Sequence, residues 1–265
     1  MSIFRAHDEA AVKAFVQDGY CVYRNAFPAA DVQRLRDFVF DHFDAKRDPH
    51  EQGTKIMDML AKHPSFAALL EGPTAVNTMR QFLGPDIAIF NYDALWINVP
   101  KDKNPVLLKG QHTDAWTGTS VNTIFAKLFL TDVDKHNGIA VSPGSHLQGM
   151  LPVRNRAIDP HTRAKFKDEN LSDILAGDWL LWHPLLVHRT VGHSAKNIRI
   201  SITSRYTSTE TPFSSQERAL GYRTISVGPM NQILRLVGND YLTPFRTYGG
   251  HVGIDKRLAR LYANR

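Results

Sequence analysis

After residue 85 the period of the chain changes, and that change limits the folds open to it. "DIAIFNY" (86–92), "ALWINV" (94–99), "TIFAKLFLTDV" (123–133), "GIAVS" (138–142), "GDWLLWH" (177–183) and "NIRISITSRY" (197–206) are short runs rich in β-branched and aromatic residues, punctuated by Gly, Pro, Asn and Asp. Strands that follow one another without helices between them point to an antiparallel sandwich or barrel. Helices come first. Residues 8–17 read as a short helix ended by Asp18-Gly19, and "YCVYRNAF" (20–27) alternates as a strand. Pro28 and Asp31 open a second helix with Val32, Leu35, Val39 and Phe43 at helical spacing. A third pattern over 74–83 is closed by Gly84-Pro85. A helical period returns around "MNQILRLVG" and "IDKRLARLY", so a partly helical C-terminal extension is expected.

These patterns divide the 265 residues into one domain with three parts: N-terminal helical support (1–85), a β core (86–210) and a basic extension (211–265). The extension holds eight basic side chains (Arg218, Arg223, Arg235, Arg246, Lys256, Arg257, Arg260 and Arg265) against three acidic ones, a net +5 of the chain's +6. Such a stretch is a solvated surface, a lid, a homodimer contact or a site for an anion. A single cysteine, Cys21, excludes an intramolecular disulfide framework and favours a reducing compartment. No stretch reaches the length of an apolar membrane span, so a cytoplasmic protein without a membrane partner is expected.

"GQHTDAWTG" (110–118) places His112 and Asp114 two residues apart. With 12 histidines and 20 aspartates, roughly one such pair arises by chance, so the pattern alone decides nothing. His42-Phe43-Asp44 is a decoy of this kind, because residues two apart on a helix point about 200° apart. In extended structure, by contrast, His112 and Asp114 share a face. A third ligand would then come from a distant strand, and "GDWLLWHPLLVHRTVGH" offers His183, His188 and His193. Two imidazoles and one carboxylate on one face of a metal are the facial triad of non-haem Fe(II) oxygenases. If 2-oxoglutarate is the co-substrate, a basic side chain must meet the carboxylate remote from the metal. In "NIRISITSRY", Ile198, Ile200 and Ile202 face one side while Arg199, Ser201, Thr203 and Arg205 face the other. Either the strand is central and Arg199 awaits a dicarboxylate, or it is an edge strand with a wet face.

His112-x-Asp114, "NGIAVSPGSH" (137–146), "GDWLLWHPLLVHRTVGHSAKNIRISITSRY" (177–206) and the opening "FVQDGYCVYRNAF" (15–27) together resemble the phytanoyl-CoA hydroxylase family of Fe(II)/2-oxoglutarate dioxygenases. The similarity spans most of residues 10–206 and not the extension. It implies a double-stranded β-helix, or jelly roll, of cupin type, with His188 rather than His183 or His193 as the distal ligand. It further implies that Arg199 and Thr190 hold 2-oxoglutarate, with O2 as the second co-substrate. Two positions depart from the family. Lys127 stands where an aromatic residue is common and would bond 2-oxoglutarate or an anionic substrate, or else face solvent. Thr113 replaces a larger amide between the first two ligands. Halogenating relatives lack the carboxylate ligand, so Asp114 favours hydroxylation.

Other residues carry weaker signals. His146, in "PGSH", and His183, before Pro184, read as structural. Trp116 would shape a substrate pocket or pack in the core. Arg205, six residues after Arg199, resembles the nucleic-acid demethylase branch of the same superfamily, or pairs with a nearby acid. The resulting expectation is a hydroxylase of a small molecule, with anions among the candidate substrates. Its rivals are a jelly roll that binds nucleic acid through C-terminal arginines, and a cupin-like metal protein without oxygen chemistry.

Overall fold

The computed structural model describes residues 3–4, 8–90, 94–100, 110–115, 119–133, 136–154, 157–163, 165–191, 197–211 and 221–236. Period-two alternation sorts its strands into two facing sheets. The larger runs β1 (Ile3–Phe4), β2 (Tyr20–Tyr23), β10 (Trp179–Trp182), β5 (Thr123–Phe129), β12 (Arg199–Ser208), β3 (Ile87–Phe90) and β13 (Tyr222–Ser226), and β4 (Ala94–Asn98) also pairs with β12. The smaller runs β11 (His188–Thr190), β6 (Ile139–Val141) and β9 (Glu169–Leu171), and a hairpin joins β7 (Val153–Arg154) to β8 (Ala157–Ile158). Within the larger sheet β1 lies parallel to β2 and the other pairings are antiparallel. This is the mainly β jelly roll expected.

Each central strand feeds two cores, because neighbouring side chains leave a strand on opposite faces. Trp179 and Leu181 of β10, Cys21 and Tyr23 of β2, and Ile200 and Ile202 of β12 pack outward under the helices. Leu180 and Trp182, Tyr20 and Val22, and Phe125 and Phe129 of β5 point inward to meet Ile139, Val141 and Leu171 of the smaller sheet. The outer face is covered by α1 (Glu9–Asp18), α2 (Ala29–His42), α3 (Pro49–Leu60), α4 (Pro64–Leu70) and α5 (Pro73–Leu83), which give Phe15, Leu35, Leu60, Phe66 and Met79 to that core.

Local chemistry sets the ends of these helices. Asp8 caps α1 by accepting from the Ala10 N–H at 2.9 Å, and Gly19 ends it at φ 83°, where the chain turns into β2. No other residue suits that corner: a Cβ at Gly19 would lie 2.5 Å from His146 Nδ1 and 2.9 Å from Leu186 Cδ1. Pro49 and Pro64 occupy the first turns of α3 and α4.

α1, α2 and α5 lie where the sequence pattern puts them, as do the six strand runs. α3 and α4 do not stand out by periodicity. The buried side of α3 begins with Gln52 and Gly53 before Ile56, Met57 and Leu60, so its apolar stripe is broken at the start. Gly53 is there for close approach, since a Cβ would stand 2.8 Å from the Leu95 carbonyl oxygen of β4. The C-terminal extension contributes the helix Pro229–Leu236, as expected, and also β13, which the helical pattern does not announce. β13 is tied down by Arg223, whose Nε and Nη2 donate to Glu71 Oε1 at 2.8 and 2.5 Å. "IDKRLARLY", the other helical pattern of the extension, lies outside the described residues. Among the described residues no helix is long and apolar enough to cross a membrane.

Leu181 has no exposure and sits mid-sheet in the outer core. Leu181→Ala is expected to cost about 2–5 kcal/mol of stability through lost packing and a residual cavity, read as a lower urea midpoint at unchanged slope.

Candidate metal centre

The site is built first from backbone. His112 and His188 form an antiparallel bridge in which each N–H donates to the other's carbonyl oxygen at 2.9 Å. Two residues on, the N–H groups of Asp114 and Ala115 both donate to the Pro184 carbonyl oxygen, at 2.8 and 3.1 Å. The segment 110–115 is therefore fastened along its length to the turn that precedes β11. Along this segment the His112 and Asp114 side chains come to one side, where His188 joins them.

The three side chains converge. One ligand atom from each of His112, Asp114 and His188 falls within 4.8 Å of the others, and His188 Nε2 lies 3.5 Å from Asp114 Oδ2. Nδ1 of His112 donates to the Gly110 carbonyl oxygen and Nδ1 of His188 to that of Leu186, each at 3.0 Å. Both hydrogen bonds place a proton on Nδ1 and orient the ring, the usual support of a metal-binding imidazole. Trp182 donates its indole N–H to Asp114 Oδ2 at 2.9 Å. Burial pushes the Asp114 carboxyl upward, but His188, His112, the Trp182 bond and Arg205 together hold it below the ordinary carboxylate range. The group is thus held in the charged form that a metal ligand requires.

The other histidines sort themselves by their partners. His183 Nδ1 accepts from the Leu185 N–H at 3.2 Å, and burial lowers its pKa. His146 contacts the Val16 carbonyl oxygen through Nε2 at 3.0 Å. Neither belongs to the cluster, in keeping with the structural roles read from sequence. His193 lies outside the described residues. His42 is engaged with the Phe38 carbonyl oxygen on its helix. Thr190 follows His188 by two residues on β11, so it shares its face, and Thr113 is buried between the first two ligands.

Arg199 settles the question raised by its strand. β12 pairs with β5 on one side and with β4 and β3 on the other, so it is central and not a wet edge. The guanidinium is 2% exposed and donates to Asn98 Oδ1 at 3.2 and 2.8 Å, to the Gly138 carbonyl oxygen at 2.8 Å and to that of Asn137. All these acceptors are neutral. Among the described residues no carboxylate pairs with it, and burial lowers its pKa to about 10. Four of its N–H groups are thereby used, and one on Nη2 remains.

The rest of the inner face is polar to a degree unusual for a core. The hydroxyls of Ser201 and Thr203, on the same side of β12 as Arg199, are buried without a hydrogen-bond partner. Lys127 does not face solvent: it shares the inner side of β5 with Phe125 and Phe129, and its ammonium lies 5.7 Å from the ring centres of both Trp96 and Trp182. Desolvation and the charge of Arg199 lower its pKa to about 7, against an opposing pull from Asp114. Arg205 lies with its guanidinium carbon 5.0 Å from the Phe125 ring centre and donates to Thr119 Oγ1 at 3.4 Å. Trp116 lies outside the described residues. Asn98 and Trp182 are the contributors that sequence reading passes over. Their signal is alternation alone: Asn98 and Trp96 share one face of β4, and Trp182 and Leu180 one face of β10.

A jelly roll that brings two imidazoles and a carboxylate together between its sheets, with buried cations beside them, has the side-chain set of the facial triad found in non-haem Fe(II) oxygenases. Residues 15–201 match the phytanoyl-CoA dioxygenase (PhyH) family, and the chain belongs to that family. A comparison with curated proteins finds no match. Among solved structures, similar folds include SnoK, a non-heme alpha ketoglutarate dependent carbocyclase from nogalamycin biosynthesis (TM-score 0.60, 16% identity, covering 78% of this chain and 86% of that one). The epimerase SnoN, in complex with Fe3+, alpha ketoglutarate and nogalamycin RO, matches with TM-score 0.55 and 20% identity over 78% of this chain and 85% of its own. The non-heme monooxygenase ThoJ covers 97% of this chain and 100% of its own at TM-score 0.60 and 17% identity.

Trp182→Phe keeps the aromatic packing against Phe125 but removes the donor to Asp114. It is expected to weaken binding of a divalent ion about 10–100-fold, measured by anaerobic Mn(II) titration.

Proposed function

We propose that the chain uses Fe(II), 2-oxoglutarate and O2 to hydroxylate an unactivated carbon of a small, anionic molecule in the cytoplasm, releasing succinate and CO2. The observation that carries this reading is the pairing of two features on one inner face: a three-residue cluster whose imidazoles turn Nδ1 to backbone carbonyls, and the buried Arg199, with which no carboxylate pairs among the described residues. The donor set fits ferrous iron, since imidazole and carboxylate in a 2:1 ratio leave coordination positions open. When bound, iron with 2-oxoglutarate and O2 supplies an oxidant strong enough to break an aliphatic C–H bond.

This chain's own residues would bind, orient and enclose. His112, Asp114 and His188 hold the metal, and Trp182 fixes the carboxylate so that its orientation survives the loss of water around it. Arg199 takes the remote carboxylate of 2-oxoglutarate through its remaining N–H. Thr190 and the partnerless hydroxyls of Ser201 and Thr203 are suited to the same molecule, since a buried hydroxyl without a partner costs about 1–3 kcal/mol that a ligand oxygen would recover. Lys127, whose charge is coupled to both Arg199 and Asp114, is assigned to the co-substrate between those two ends. Trp116 and Arg205 are assigned to the primary substrate, which Arg205 would favour as an anion. The jelly-roll walls keep bulk water from the reacting groups.

Two outcomes test the reading. Anaerobically reconstituted protein given 2-oxoglutarate and O2 is expected to release succinate, and Asp114→Ala to abolish that release while the fold persists by circular dichroism. No succinate from wild type under reducing conditions overturns the proposal and favours a metal protein without oxygen chemistry. Arg199→Ala removes charge-assisted bonds worth about 1.5–3 kcal/mol, so the KM for 2-oxoglutarate should rise roughly 10–100-fold with iron affinity nearly unchanged. Equal loss of both would contradict the role given to Arg199.

A further inference from the structure

Behind the metal-facing side of the cluster lies a second convergence that the proposed chemistry does not use. Gln111 precedes His112 and Arg189 follows His188, so both side chains leave the backbone away from their neighbouring ligands. They meet at one carboxylate. Asp168, just before β9, accepts from Arg189 Nε at 2.8 Å through Oδ2. Its Oδ1 accepts from Gln111 Nε2 and, at 3.0 Å, from the hydroxyl of Ser142, which follows β6. Gln111 is itself buried at 6% exposure, and its carbonyl oxygen takes the Ile158 N–H of the β7–β8 hairpin at 2.9 Å.

We infer that Asp168 is a positioning residue, a brace that holds the two histidine-bearing segments in register from the side opposite the metal. The inference rests on the metal-binding reading above. Its physical basis is that the His112–His188 bridge stands outside the named strands and the Pro184 carbonyl oxygen holds only the Asp114 end of the 110–115 segment, so the Gln111 end is tied to β11 through the Asp168 carboxylate. A side-chain anchor on the residue adjoining each histidine limits turning at that end. Because Asp168 touches neither ligand, it acts on their spacing and not on their basicity. Desolvation pushes the Asp168 carboxyl upward, but the bonds from Arg189, Gln111 and Ser142 more than offset this, so it stays charged. Preorganised ligands bind an ion without first paying to be ordered.

The test is an anaerobic Co(II) titration of the full chain, following the visible ligand-field bands of the bound ion, for wild type, Asp168→Asn, Arg189→Met and the double variant. Asn keeps the shape but presents an N–H to one of the donors. We expect Asp168→Asn to weaken Co(II) binding about tenfold and to shift the bands, as outer-shell changes do. Arg189→Met should weaken it less, and the double variant should be no worse than Asp168→Asn alone, since both remove one interaction. Arg189→Met also serves if Asp168→Asn does not fold. A residue that merely stabilised the fold would lower the urea midpoint of the metal-free protein and leave affinity and bands untouched. Folded variants that bind Co(II) within twofold of wild type with unchanged bands overturn the brace and leave the metal site standing. A wild type that binds no Co(II) overturns the metal reading, and the brace with it.

Discussion

The mutual hydrogen bonding of His112 and His188 is the constraint on which the site depends. The two residues are far apart in sequence, and no attraction between neutral imidazoles would bring them together. Closure of the two sheets does so, through an N–H and a carbonyl from each residue at 2.9 Å. Once that register is fixed, the strand period decides the rest: Asp114 and Thr190, each two positions on, fall on the face of the histidine before them. The Pro184 carbonyl oxygen, taking two successive N–H groups, stops the Asp114 end from turning. The folding of the β scaffold therefore supplies the order that an ion would otherwise have to impose.

The inner face adds a charge problem to this geometry. Arg199 and Lys127 lie between the sheets, where a cation costs far more than in water. They reach different compromises. Arg199 keeps its charge by spending four N–H groups on neutral oxygens, which leaves its electrostatic field uncancelled. Lys127 lies against the faces of Trp96 and Trp182, and its pKa falls to about 7. A small dicarboxylate is the kind of ligand that relieves both, since it brings negative charge and acceptor oxygens to the same space as the partnerless hydroxyls of Ser201 and Thr203. The same physics explains why the polar face of β12 is compatible with a central strand. Its polarity is turned inward between the sheets and not to water.

The fold class was legible from the alternation of six runs, and the metal ligands from His112-x-Asp114 once extended structure was granted. His188 was not selected by periodicity: three histidines were open to it, and β11 is only three residues long, too short to show a pattern. Family resemblance chose it; in the structure His188 lies in the cluster with His112 and Asp114, whereas His183 accepts from the Leu185 N–H next to it and faces the His146 ring. α3 and α4 escaped detection because a glycine and a glutamine stand on the buried side of the first. Asn98, Trp182 and Asp168 escaped for another reason. Each works through one long-range hydrogen bond or more, and such bonds leave no mark on local sequence. The strand β13 was hidden by the same limit, since its pairing partner β3 lies well over a hundred residues earlier.

The layer that sequence reading missed turns out to serve the site. α3 lies against β4, close enough that Gly53 has no room for a side chain beside the Leu95 carbonyl oxygen. The inner side of β4 carries Trp96 and Asn98, the first against Lys127 and the second on Arg199, directly opposite it in register. Arg199 reaches the other layer as well, donating to the Asn137 and Gly138 carbonyl oxygens beside β6. Trp182 joins the two groups of polar side chains, since its indole N–H donates to Asp114 while its ring lies beside the Lys127 ammonium. The packing of α3 on β4 is therefore connected to the His112–Asp114–His188 cluster through Trp96, Lys127 and Trp182, and the two sheets and the outer helices support one shared arrangement.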